Sequence, residues 1–148
     1  MKTHPYLRAY VGGIFAPTLV LPLILVVIIT VRLVLGAPFP IERFLIFPMS
    51  IVPALFGLWN MLWLWSHPRT HLPIGLHGAI LPFLGAPAGA FAASSLGMLQ
   101  IGAHGVTWFQ ACQVPYALIA VGFLAGVAIY YLVWKYIVGF LNNVLGIA

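Results

Sequence analysis

The stretch VGGIFAPTLVLPLILVVIITVRLVL, residues 11–35, decides the fold. Only Arg32 within it is charged, and it lies near the end. A helix needs about 20 apolar residues to cross a hydrocarbon core about 30 Å thick, and this run exceeds that length. From Leu19 to Ile29 it does not alternate polar and apolar residues, as a membrane-barrel strand would. Backbone that faces lipid must satisfy its own amides, so the span is expected to be helical. Lys2 and Arg8 precede it in the manner of a secretory signal, but the run is too long for a signal's apolar segment of about 7–15 residues. Pro38 follows Leu35-Gly36-Ala37 and disfavours cleavage there, which marks a retained helix.

Three similar stretches follow, at about 44–65, 74–101 and 114–138, joined by short connections. The expected fold is an all-α membrane protein, one integral membrane domain over 1–148. It has four transmembrane helices in two hairpins, with spans at about 11–35, 44–65, 74–101 and 114–138. Composition agrees. Of 148 residues, 64% are hydrophobic and 5% charged, whereas soluble domains carry about 25% charged residues. The tail from Gly139 is apolar apart from Asn142 and Asn143, and either extends the fourth helix or lies in the interface.

The net charge of +5 comes from Lys2, Arg8, Arg32, Arg43, Arg69 and Lys135. They are scattered, which argues against nucleic-acid binding and for helix orientation and contact with anionic lipid. With the N-terminus inside, Lys2, Arg8, Arg69 and Lys135 fall inside, and Arg32 and Arg43 outside beside Glu42. This bias predicts a multi-pass protein of the bacterial inner (plasma) membrane, with both termini cytoplasmic. Trp59, Trp63, Trp65, Tyr130, Tyr131, Trp134 and Tyr136 mark the inner interface, with Tyr6 and Tyr10.

Prolines repeat with a spacing of five: Pro17 and Pro22, Pro48 and Pro53, Pro82 and Pro87. A proline inside a helix removes a hydrogen bond and clashes with the carbonyl four residues back. Pro22, Pro53 and Pro87 fall near mid-span, so three helices are expected to be proline-kinked near mid-membrane, freeing the carbonyls of Thr18, Met49 and Phe83. Interrupted helices at corresponding positions point to a transporter's binding site. The same prolines also have a plain packing reading. Gly13-x3-Pro17-x4-Pro22 recurs as Gly78-x3-Pro82-x4-Pro87, which suggests a duplicated hairpin. The third span carries the small stripe Gly78, Pro82, Gly85, Gly89 and Ala92, and Gly85/Gly89 and Gly122/Gly126 form GxxxG pairs. These serve packing of the third helix on the fourth, or a homo-oligomer or partner membrane subunits.

Chemical motifs are sparse. Glu42 is the single acid, which excludes paired-carboxylate catalysis and weakens proton-coupled transport. Cys112 is the single cysteine, so no intrachain disulfide forms. A Cys112–His104 nucleophile pair has no orienting acid. There is no phosphate loop, dinucleotide fingerprint or zinc-protease motif, so an enzyme is disfavoured. His67 and His71 lie in the inner loop, where Pro68 and Pro73 argue against a helix presenting both. His71 and His77 are the candidates for a metal site. No cofactor is predicted, although haem or quinone could use His71, His77 or His104.

The sequence therefore favours a small transport- or pore-type membrane protein for a neutral or anionic small solute. Its site would lie at Thr18, Pro22, Pro53, Gly85 and Pro87. The alternative is an accessory subunit or membrane anchor of a larger complex. Expected partners are the lipid bilayer and further membrane chains, with no nucleic acid.

Overall fold

Pro5 stands where proline opens a helix without losing a bond, and the helix it opens, α1, runs Pro5–Leu35 to a left-handed Gly36. The computed structural model describes residues 4–36, 41, 49–110 and 112–147. Phe44, where the second span was expected to begin, lies outside them, as do Lys2, Glu42, Arg43 and Pro48. α2 covers Ser50–Thr70 and α3 covers Ile74–Ser95. α4 begins as Tyr116–Leu132, continues through a π-helical turn, Val133–Val138, and finishes as Gly139–Val144.

The chain is mostly helical. Among the described residues, three helices are long and apolar enough to cross a membrane: Pro5–Val34, Ile74–Ser95 and Tyr116–Val144. Leu19, Leu23, Val26, Leu118 and Leu124 are exposed. A large apolar surface of this kind suits lipid as solvent, and a multi-pass membrane protein fits it.

Several boundaries differ from the sequence expectation. α2 continues through Pro68 to Thr70, so His67 sits in its last turn rather than in a loop. His71, with φ 50°, is the residue that stops it, and its N–H bonds to the His67 carbonyl. The Trp63 indole donates to the Leu72 carbonyl at 3.4 Å, and His67 Nδ1 meets the same oxygen at 3.2 Å. Pro73 then forces the extended backbone from which α3 starts.

α3 ends six residues before the expected boundary near 101. Gly97 is the left-handed residue of a Schellman ending, in which Gly97 N bonds Ser94 O and Met98 N bonds Ala93 O. The chain then forms a β-meander that an all-α expectation missed: β1 Leu99–Ile101, β2 Gly105–Trp108 and β3 Cys112–Pro115, all antiparallel. Ala93, Met98, Leu99 and Val106 bury together at its base, against Ile119 of α4. At the C-terminus the tail extends α4, and Gly146 closes it with a second Schellman ending to Asn143 and Asn142.

α1 packs on α2, and α3 on α4, as two antiparallel hairpins. The repeated glycine has the same job in each. A Cβ on Gly13 would strike the Phe56 backbone, and one on Gly78 would strike the Trp134 ring. Each glycine marks the closest approach within its hairpin, which gives the internal repeat a physical content.

Candidate functional site

The hairpins join at the end where α1 begins and α4 finishes. Asn60 on α2 donates to the Ala9 carbonyl at 2.7 Å and to Asn142 Oδ1 at 2.8 Å. Asn142 returns a bond from Nδ2 to Asn60 Oδ1 at 3.0 Å. Both amides are 0% exposed, so this reciprocal pair links α1, α2 and α4 where no water competes. Gly12 leaves room for it, since a Cβ there would sit 2.8 Å from Asn142 Oδ1. Arg8 donates from Nη1 to the Leu145 carbonyl at 2.8 Å, tying the start of α1 to the end of α4.

The π turn makes this possible. In a straight α-helix, residues four apart drift about 40° around the axis. Wider winding at Val133–Val138 keeps Trp134, Val138 and Asn142 all buried on one side. Beside them, His77 is 5% exposed, and its ring centre lies 4.8 Å from Trp59 and 6.1 Å from Trp134. Trp59 donates to the His77 carbonyl at 3.0 Å, clamping α2 to α3. Nδ1 of His77 and Nε1 of Trp134 are buried without a hydrogen-bond partner among the described residues. Such groups cost about 1–3 kcal/mol each when left unpaired.

Above that cluster, α2 and α3 separate around a half-open cavity of about 450 Å³. Val52 and Leu55 line one side, Pro82 and Gly85 the other, and Phe56 and Tyr130 lie toward the cluster. Trp134 packs directly behind, 6.0 Å from Phe56 between ring centres. Among the described residues, no ionised side chain lines the cavity.

Of the five site residues expected from sequence, Gly85 lines this cavity, and Thr18, Pro22, Pro53 and Pro87 do not. Thr18 is exposed and spends its hydroxyl on the Ile14 and Phe15 carbonyls of its own helix. Pro22 and Pro87 are exposed and Pro53 is half-buried. The helices run continuously through all of them. Antiparallel packing also changes which prolines share a level. Ala9 meets Asn60 and Gly13 meets Phe56, so Pro53 comes level with Ala16 and Pro17. The cavity sets Val52 and Leu55 against Leu81 and Pro82. Pro17, Pro53 and Pro82 therefore form one layer, and Pro22 lies about 7.5 Å further along α1.

The histidines are dispersed. His71 is exposed at the end of α2, with its ring 6.5 Å from that of His67, and His104 is exposed between β1 and β2. No group of three or more metal-ligating side chains occurs among the described residues. Cys112 pairs with Trp108 at the end of β2 remote from His104, so these two are not brought together. Asn142 is the functional-looking residue that sequence reasoning passed over. Its one signal is an amide in an apolar tail.

Compared with protein-family models, curated proteins and solved structures, the chain matches none.

Proposed function

We propose that this is a transport-type membrane protein for a neutral molecule with an apolar body, held in the cavity between α2 and α3. The cavity carries the proposal. It is mid-helix, open on one side, apolar, and walled by Pro82, Gly85 and Gly89. An anion there would lose its hydration with no charged partner, a cost of several kcal/mol, so the neutral arm of the sequence expectation is the one retained. A small uncharged head group has the Trp134 indole and His77 ring one layer away. The proposed architecture has α2 as a fourth crossing, which puts the joined ends of α1 and α4 on one side, the cytoplasmic side of a bacterial inner membrane by the bias of Arg8, Arg69 and Lys135. Proline-weakened helices around Pro17, Pro53 and Pro82 would supply the bending that opens the cavity.

The test is leaflet exchange of a fluorescent uncharged glycolipid in proteoliposomes, read by quenching from outside. Exchange faster than in protein-free vesicles, and lost in Gly85→Leu, is expected. Exchange at the protein-free rate removes the transport reading.

A second reading, an accessory subunit or homo-oligomer, has its own support. A Cβ on Gly85, Gly89, Gly122 or Gly126 would meet no described residue, so among the described residues both GxxxG pairs have unpartnered faces. Particle mass in mild detergent tests it: a mass of one chain plus detergent argues against assembly. An absorption spectrum of the same particle tests for haem or quinone.

A further inference from the structure

A second cavity, of about 440 Å³, opens at the joined end of the bundle, between α2, the first residue of α3 and the last turns of α4. Trp63, Ile74 and Phe140 wall it, and Lys135, Tyr136 and Asn143 carry its polar groups. Counting about 1.5 Å per residue from Tyr116, Lys135 lies about 28 Å along α4, at the far edge of a hydrocarbon core of about 30 Å. The cavity is thus placed at the depth of lipid head groups.

Its electrostatics select a sign. Lys135 Nζ sits 5.6 Å from the Tyr131 ring centre and 5.1 Å from that of Tyr136. These rings hold the ammonium in place by cation–π attraction without neutralising it. No described residue carries a side-chain carboxylate, because the chain's one acid is Glu42. Arg69 lies over Trp65 at the same end, 4.8 Å from the ring centre, so the surroundings are positive as well. A zwitterionic head group would bring its own ammonium against Lys135. An anionic one brings acceptor oxygens to the lysine, the Tyr136 hydroxyl and the exposed Asn143 amide, while Trp63 and Phe140 receive the start of the acyl chains.

We infer that this cavity is a binding site for one anionic phospholipid, with the head-group phosphate on Lys135 and Asn143. The site is independent of the apolar cavity between α2 and α3. It is tested by native mass spectrometry of the full chain released from vesicles of equal phosphatidylglycerol and phosphatidylcholine. One phosphatidylglycerol retained per chain in preference to phosphatidylcholine is expected. Lys135→Gln should lower that preference about fivefold, the usual weight of one cation at a membrane surface. Lys135→Arg should keep it, and Asn143→Leu should reduce it further in combination with Lys135→Gln. Arg69→Gln removes a cation at the same end but outside the cavity, and should leave the preference intact. Equal retention of the two lipids overturns the proposal. So does an equal loss in Arg69→Gln, which would indicate general surface charge, or displacement of the lipid by millimolar inorganic phosphate, which would indicate a soluble-anion site.

Discussion

Where α1 begins and α4 finishes, Asn60, Asn142, Trp134 and Val138 are fully buried and the helices touch through Gly13 and Gly78. Toward the other end, Tyr116–Leu132 of α4 contains no buried residue, and a Cβ on Gly85, Gly89, Gly122 or Gly126 would meet no described residue. The same residue type does opposite things in the two regions. Glycine permits closest approach where a bulky aromatic or a backbone comes to meet it, and leaves a groove where none does. Packing strength therefore lies in the joined end, and room for a ligand or a partner lies in the open one.

The sharpest attack on this contrast is Gly78→Val. Its side chain would occupy the place of the Trp134 ring, so a loss of about 1–3 kcal/mol is expected, read as thermal unfolding in detergent. A Gly85→Val protein equally destabilised would break the comparison. Next comes the amide pair. Asn60→Leu should cost about 0.6–2 kcal/mol, and a double-mutant cycle with Asn142→Leu should show coupling of similar size; additive losses would mean the bonds at 2.8 and 3.0 Å carry no joint energy. Gly85→Leu should leave stability within about 0.5 kcal/mol while abolishing glycolipid exchange. Gly122→Leu should likewise unfold as the parent does, and any fall in particle mass would place the α4 stripe in an assembly. The smallest effect belongs to Thr18→Val. That hydroxyl bonds its own helix, so both stability and exchange should stay near the parent values, and a large fall in exchange would restore Thr18 to the site.

Much of the architecture was legible because lipid imposes a strong composition rule. The run at 11–35 and the glycine repeat at Gly13 and Gly78 could be read directly, and the two hairpins followed from the short connections. The misreadings have physical causes. The third span was expected to run to about 101 because its composition stays apolar, whereas Gly97, with a left-handed φ of 67°, ends α3. The strands after it are three or four residues long, too short to establish an alternating pattern. The proline layer was read by position within each span, but α2 runs against α1 and α3, so its second proline comes level with their first.

Sequence by itself determined the apolar, helical character of the long segments and their hairpin pairing, because those depend on local composition, on short connections and on the need of an apolar segment to satisfy its own amides. It also set the excess of basic and aromatic residues toward one end. Only the tertiary structure decided which glycines meet a neighbour, that Asn60 finds Asn142 across 82 positions, that a π turn keeps Trp134, Val138 and Asn142 on one buried side, and where the cavities lie. Those depend on how far two hairpins diverge, and hairpin divergence is fixed by contacts between residues remote in the chain.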